Sequence, residues 1–263
     1  MNIGFIGAGN MATAMIHGLL QAKWTTPDHL WISNRSQGKL DAFAGCHTTV
    51  KNTEVAEHAD ILVLAIKPQI YQTVLKEIAS SCKEDVLLVS IAPNWTLDSL
   101  SQTLGRPFKV ARCMPNTPAM VGQGMSAVVF NSLCRKSDED NLISFCQSFG
   151  QCVKVKEEQM ELVVALSGSS PAYAFSFLNA MIEKGVQCGL DKKTSQLLSA
   201  QALKGAAEMV LQSEESAGQL KQNVCSPNGT TIEAVNVLDA NGFEEILSEA
   251  MDACIQKARS MKV

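Results

Sequence analysis

"NIGFIGAGNMATAMIHGLL", residues 2–20, decides how the chain folds. Its first residues form a short apolar run that reads as a buried strand, and "MATAMIHGLLQAK" repeats apolar residues at helical spacing. Between them, Gly7-Ala8-Gly9-Asn10-Met11-Ala12 fits the pattern GxGxxA. The first glycine permits a tight strand-to-helix turn, the second lets backbone approach a pyrophosphate, and Ala12 allows helix and sheet to pack closely. The free amides of the helix start, Asn10 and Met11 among them, then receive the phosphates of a dinucleotide.

Outward from that unit the alternation continues. "HLWIS", "HTTV", "ADILVLAI", "DVLLVSI" and "FKVARCM" read as further strands, with "IYQTVLKEIASSC" helical between two of them. "MSAVVF" and "CVKVK" complete the sheet, with "DEDNLISFCQSF" as the helix between them. Such alternation predicts an α/β fold: an N-terminal Rossmann-type, doubly wound, mostly parallel sheet with right-handed crossovers over residues 1–156. From Glu157 the strand signals stop and helical patterns follow one another, so residues 157–263 are expected to form an all-α domain. Its helices are apolar over wide faces, which predicts packing against a second copy of the chain.

Composition narrows the function. With 263 residues, 46% of them apolar, the chain can bury a full core. A net charge of -4 with both signs interspersed supplies no basic field for nucleic acid or an anionic membrane. Nine irregularly spaced cysteines without a CxxC pair read as buried thiols of a reducing cytosol, and no residue grouping has metal-ligand spacing. The start "MNIGFIGAGN" lacks a basic leader and no apolar run is long enough to span a bilayer, so neither export nor anchoring is expected.

Three loops after strands are candidate coenzyme contacts. An NAD site would carry Asp or Glu at the end of the second strand; "ISNRS" offers Ser33, Asn34 and Arg35 instead, which suit a 2'-phosphate, although a solvated basic turn has the same look. In "AIKPQ", Ala65 and Lys67 can approach the coenzyme while Pro68 fixes the turn, or the segment is a plain strand exit. In "CMPNTPAMVGQG", Pro115 and Pro118 stiffen a loop whose Asn116 and Thr117 can meet a nicotinamide carboxamide and a substrate, or the loop is merely rigid.

The helical domain carries two more polar turns. In "ALSGSSPAYAF", Ser170 reads as an N-cap with Pro171 at the first helical position, which leaves Gly168 and Ser169 for close approach by a ligand. In "NVCSPNGTTIEAV", Thr230 and Glu233 fit a capping box behind a flexible Asn228-Gly229, and Ser226, Thr230 and Thr231 add hydroxyls. Helix-start amides plus hydroxyl donors suit a carboxylate. All four histidines lie in the first quarter of the chain, His17 and His58 reading as surface or packing residues. A substrate whose C=N nitrogen arrives already protonated needs no acid from such a site, unlike a carbonyl. Tyr173 as a proton donor and Glu214 as a contact to the substrate nitrogen are open alternatives to ordinary packing and solvated roles.

Together "GFIGAGNMATAMIHGL", "AIKPQ", "MPNTPAMVGQG", "SGSSPAYAF", "GLDKKTSQLLSAQALKGAAEMV" and "QLKQNVCSPNGTTIEAV" resemble, in order and over essentially the whole chain, the pyrroline-5-carboxylate reductase family. The resemblance implies hydride transfer from NADPH, with NADH possible, to the C=N bond of 1-pyrroline-5-carboxylate, giving L-proline. It implies a cytoplasmic homodimer or a larger ring of dimers, in which Ser226, Gly229, Thr230 and Thr231 hold the substrate carboxylate and Thr231 also nears the ring nitrogen. Asn116 and the turn from Ser169 to Pro171 would border the nicotinamide, with Ser33 to Arg35 facing the adenosine ribose.

Departures from the family pattern are Ser170 and Asn228, where glycines are common, and Ala217, where proline is common. Asn228 is expected to keep a positive φ, whereas Ser170 is expected to change ring clearance or substrate affinity. A β-hydroxyacid dehydrogenase would need a catalytic lysine early on the helix after Pro171, which instead offers Ala174, Phe175, Phe177 and Leu178 before Lys184. A nucleotide-binding protein without turnover is the remaining alternative.

Overall fold

A computed structural model describes residues 1–262 of the chain. The first half runs β1 (Ile3–Ile6), α1 (Asn10–Gln21), β2 (Leu30–Ser33), β3 (His47–Thr49), α2 (Asn52–His58), β4 (Ile61–Leu64), α3 (Tyr71–Ile78), β5 (Leu87–Ser90), α4 (Leu97–Leu104) and β6 (Lys109–Met114). It closes with β7 (Gly124–Phe130), α5 (Lys136–Gln147) and β8 (Gly150–Lys154). All eight strands stand in one sheet, ordered β3-β2-β1-β4-β5-β6-β7-β8. Every pairing is parallel except β6 with β7, which is antiparallel.

Strands β1, β4, β5 and β6 are buried along their whole length, as expected of a sheet covered by helices on both faces. Ile3 and Phe5 point into one core with Met15, Ile16, Leu19 and Phe145; Ile6 points into the other with Leu62, Leu64, Tyr71 and Leu75. Small residues allow the layers to close. A methyl built on Gly4 would lie 2.8 Å from Ala59 and Val55 of the overlying segment, and one on Gly18 of α1 would lie 2.5 Å from Phe149.

After β8 the chain is helical: α6 (Met160–Val163) runs into a π-helical turn at Val164–Gly168, followed by α7 (Ser170–Gln187), α8 (Lys192–Gln212), α9 (Ala217–Val224), α10 (Thr230–Ala240) and α11 (Phe243–Ser260). Two compact units result: Met1–Ser169 together with the residues from Cys254 onward, and Ser170–Ala253. The change of composition at residue 157 therefore precedes the start of the second unit. Met160 is buried with Met114 and Val129 of the sheet, which keeps residues 157–169 with the first unit.

Within the second unit α7 and α8 pack closely, because Gly185 leaves room for Ser195, whose hydroxyl donates to the Ile182 carbonyl at 2.8 Å. Helices α7, α9, α10 and α11 bury no residue fully within the chain. Phe175, Leu197, Leu198, Leu211, Val237 and Ile246 stand exposed, the wide apolar surface that the sequence associates with a second copy. Among the described residues, no helix is long and apolar enough to cross a membrane, and no group of three or more His, Cys, Asp or Glu can hold a metal ion.

Candidate active site

The glycine turn after β1 is held from two sides. Gly7 donates its amide to the Ser33 carbonyl at 2.8 Å, and the Asn34 side-chain oxygen accepts from the Ala8 amide at 3.3 Å. Gly7 has φ +102°, and a methyl there would overlap the carbonyl oxygen of Ala65, which itself donates its amide to Ile6 at 2.8 Å. Gly9 differs: its φ is -84°, and nothing lies within 4 Å of where its side chain would be. It caps α1 without a side-chain hydrogen bond, and the first turn of that helix has no acidic residue. The amides of Asn10 and Met11 thus start a helix free of any built-in anion. Open space at Gly9, an uncapped helix start and no carboxylate at the end of β2 fit a dinucleotide with a 2'-phosphate.

At the end of β2 the sequence and the geometry diverge. Ser33 is fully buried and its hydroxyl donates to Asn52 Oδ1 at 2.8 Å, so it presents no donor to solvent. Both faces of β2 are packed, so neither orientation would have exposed it. Asn34 uses its amide nitrogen on the Ser36 carbonyl at 2.9 Å in addition to its bond from Ala8. Arg35 is exposed, and the exposed hydroxyl beside it belongs to Ser36. Ser36 is a candidate that the reading of "ISNRS" passed over; it lies three residues past the end of β2, outside the covered strand that buries Ser33.

Lys67 is exposed ahead of the 3-10 turn Pro68–Ile70, and the Pro68 carbonyl accepts from Trp95 Nε1 at 3.2 Å. Asn116 is buried, and both ends of its amide are engaged. Its nitrogen donates to the Ser167 carbonyl at 3.0 Å and its oxygen accepts from the Met125 amide at 2.9 Å. Asn116 therefore ties the loop after β6 to the π-helical turn, while Thr117 and the residues from Met120 to Gln123 are the exposed members of that loop. The π-turn is closed by the Ser169 amide donating to Val164 at 2.8 Å. Because α7 begins at Ser170 directly from it, Ser170 is the first helical residue and not the N-cap expected from "SSP". Turns of this type recur at functional sites.

In the second unit the segment Ser226–Thr231 folds as one turn. Asn228 has φ +58°, the left-handed conformation expected of it. The Gly229 amide donates to the Ser226 carbonyl at 3.0 Å, and a methyl on Gly229 would overlap the Ser226 hydroxyl. Helix α10 starts at Thr230 with Gly229 as its N-cap and no side-chain capping bond. The capping box expected from Thr230 and Glu233 is absent, since Thr230 sits one position too far into the helix to act as cap. The consequence favours a ligand: the first-turn amides at Thr230 and Thr231 have no side chain of their own to satisfy them, and the hydroxyls of Ser226, Thr230 and Thr231 stand at the same turn.

Other candidates recede. Tyr173 is half-buried on α7, and Glu214 is exposed in the loop between α8 and α9. His17 is exposed on α1, and His58 stacks on Trp31 with ring centroids 3.7 Å apart. All nine cysteines are free thiols, but only Cys82, Cys113 and Cys146 are buried, so the expectation of uniformly buried thiols is corrected. Burial pushes the Cys82 and Cys134 thiols up to about 11, far from nucleophilic use at neutral pH.

The family model described as pyrroline-5-carboxylate reductase dimerisation matches residues 157–261, and one described as NADP oxidoreductase coenzyme F420-dependent matches residues 2–94. The chain is 42% identical to pyrroline-5-carboxylate reductase of Escherichia coli (strain K12), over 98% of this chain and 97% of that one. It is 37% identical to pyrroline-5-carboxylate reductase 2 of Homo sapiens, over 100% of this chain and 84% of that one. Among solved structures, the Plasmodium falciparum pyrroline carboxylate reductase with NADP bound is similar with a TM-score of 0.92 at 32% identity, covering 100% of this chain and 98% of that chain. The Coxiella burnetii pyrroline-5-carboxylate reductase gives the same TM-score, 0.92, at 37% identity and the same two coverages, 100% and 98%.

Proposed function

This chain belongs to the pyrroline-5-carboxylate reductase family, and we propose from that premise that it reduces 1-pyrroline-5-carboxylate to L-proline with NADPH. NADPH, when bound, supplies the hydride that adds to the C=N carbon. The chain's own residues bind and orient. Gly7, Gly9, Asn10 and Met11 receive the pyrophosphate at the start of α1. Arg35, with Ser36 beside it and Ser33 and Asn34 shaping the strand end, meets the 2'-phosphate, while NADH lacks that group and gains nothing from Arg35. Ala65, Lys67 and Pro68 border the nicotinamide half, and Asn116 holds the neighbouring loop.

Ser226, Gly229, Thr230 and Thr231 hold the substrate carboxylate, and Thr231 lies toward the ring nitrogen. The observation that carries this assignment is the uncapped first turn of α10 behind Asn228, with amides and three hydroxyls at one turn. A cyclic imine protonated at nitrogen needs no acid there, in keeping with a segment that offers hydroxyls and amides alone. Residues 157–263 form the dimerisation and substrate-binding segment; the exposed apolar faces of α7, α8, α10 and α11 are covered by a second copy, and dimers assemble further into a ring. The compartment is the cytoplasm.

The test mixes the purified chain with NADPH and either 1-pyrroline-5-carboxylate or short semialdehyde acids, following loss of reduced-coenzyme absorbance and formation of proline. Proline formation is expected. Turnover of the semialdehydes alone, or tight NADPH binding with no turnover, would replace the proposal with a β-hydroxyacid dehydrogenase or a sensor. Thr231→Ala tests the carboxylate turn: KM should rise and kcat fall, together about 10- to 150-fold in kcat/KM for a charge-assisted contact of ~1.5–3 kcal/mol.

A further inference from the structure

Arg112 is the largest fully buried side chain of the protein, set in the middle of a sheet strand where an apolar residue would be expected. Its position is not explained by stability alone. One guanidinium nitrogen donates to Glu157 Oε1 at 2.5 Å and another to the Pro93 carbonyl at 2.9 Å. Glu157 Oε1 also accepts the Leu97 amide at 3.2 Å. Arg112 Nε and Glu157 Oε2 are buried without a hydrogen-bond partner among the described residues. Arg112 is out of water while the Glu157 side chain is 31% exposed, and a pair whose cation is desolvated and only partly satisfied stabilises little, because desolvation offsets the attraction.

What the pair does hold is one loop. Residues 91–96 leave β5, and the Pro93 carbonyl on one side and the Leu97 amide on the other are both gripped by the Arg112–Glu157 pair. Neighbouring contacts extend the grip to the exit of β4. The Tyr71 hydroxyl donates to the Leu64 carbonyl at 2.7 Å and accepts from Ser90 at 3.2 Å, and Ser90 in turn accepts the Ala92 amide at 3.3 Å. Trp95 stacks on Tyr71 and donates to Pro68, the residue after Lys67. Burial pushes the Tyr71 phenol well up, so it remains a neutral link in this chain at any working pH.

In this sheet the strand order reverses between β1 and β4, and a dinucleotide lies across that crevice at the carboxyl ends of the strands. With the pyrophosphate at the β1 turn and the adenosine at the end of β2, the other half of the coenzyme runs toward the exits of β4 and β5. We infer that Arg112, paired with Glu157, is a positioning residue for the nicotinamide half of NADPH, acting through the loop 91–96 and touching neither coenzyme nor substrate. The inference rests on the coenzyme reading above and adds residues to which that reading gives no part.

The double variant Arg112→Met, Glu157→Leu removes both charges together and leaves no lone buried ion. Its melting temperature, its NADPH dissociation constant by fluorescence titration, and its two KM values separate the possible roles. A positioning role predicts a melting temperature near that of the wild type, NADPH binding weakened about tenfold, and an unchanged KM for the imine. Amide exchange should quicken at Leu97 and Ala92 while the turn after β1 keeps its protection. The single variant Glu157→Gln, which keeps an oxygen facing Arg112 and the Leu97 amide, should recover most of the affinity. A fall in melting temperature with NADPH affinity unchanged would overturn the inference and leave the coenzyme reading standing. Failure of the wild-type chain to bind NADPH would overturn both.

Discussion

Gly7 and Gly9 stand two residues apart in one turn, yet alanine at each should fail in a different way. At Gly9 the backbone has φ -84°, which alanine adopts freely, and no atom lies within 4 Å of the added methyl. Folding should be unaffected or favoured by about 0.4–1 kcal/mol through loss of unfolded-state freedom. The same methyl occupies the space through which a pyrophosphate reaches the amides of Asn10 and Met11. Losing one charge-assisted hydrogen bond of ~1.5–3 kcal/mol weakens NADPH binding about 10- to 150-fold. At Gly7 the φ of +102° costs alanine about 1–3 kcal/mol before the overlap with the Ala65 carbonyl is relieved. The expected fall in melting temperature is on the order of 5–10 °C for a chain of this size. Circular-dichroism melts and fluorescence titration with NADPH, run on both variants, measure the two quantities. If Gly9→Ala binds NADPH as the wild type does, or melts as low as Gly7→Ala, the turn is only a fold element and the coenzyme assignment of α1 fails.

Arg35→Ala should narrow the ratio of kcat/KM for NADPH over NADH about tenfold, because the guanidinium has a partner only when the 2'-phosphate is present; an unaltered ratio removes Arg35 from the site. Asn228→Gly should leave KM for the imine within twofold, whereas Asn228→Val should raise it, since a β-branched residue at φ +58° costs ~1–2 kcal/mol or more and tilts the start of α10. Equal kinetics for the two variants would show that the turn conformation is irrelevant. Burial of Asp60 opposes its ionisation, but hydrogen bonds from Lys83 and the Asn2 amide outweigh it and hold the carboxyl below its ordinary 3.8. The stability it contributes is present above the unfolded-state value and is lost as pH falls through the lower folded-state value. Acid unfolding below about pH 4 should therefore be shallower in Asp60→Asn than in the wild type, and identical acid limbs would count against it.

How much of this was legible in the sequence follows from which features are local. The central strands β1, β4 and β5 show as apolar runs because a sheet covered on both faces excludes polar residues from nearly every position, whereas the edge strands β3 and β8 are largely exposed and polar; the glycine turn shows because its steric demands fall on consecutive residues. Even the reversal of β7 is implied by spacing, since residues 115–123 are too few for a crossover between parallel neighbours. The second group of features depends on register or on distant partners. Ser33 and Ser36 have the same chemistry, and where β2 ends decides which hydroxyl reaches solvent: Ser33 is its last residue and Ser36 lies beyond it. Thr230 and Glu233 satisfy a capping pattern that fails because α10 begins one residue earlier than the pattern requires. The π-turn before α7 displaces Ser170 from cap to helix in the same way. Asn116 reads as a free amide in "MPNTP", and its commitment to Ser167 and Met125 is visible only in three dimensions.

Arg112 is the extreme case. Within "FKVARCM" it is one of two cations in a strand, and nothing nearby in sequence accounts for it; its partners lie at Pro93 and Glu157, brought to it by the packing of a loop and of the segment after β8. Charges in a fully buried strand must find partners from other elements, because the strand itself has none to offer. Lys109 obeys the same rule as the first residue of β6, held at 3.0 Å by Asp85 and 3.1 Å by Asp138. The two cations nevertheless differ in what they grip. Lys109 joins two carboxylates of surface elements, an arrangement that any well-packed pair of loops could need. Arg112 grips loop backbone at the ligand edge of the sheet. The two cations of β6 meet the same electrostatic requirement, and only the location of their partners gives Arg112, and not Lys109, a loop to position at the ligand edge.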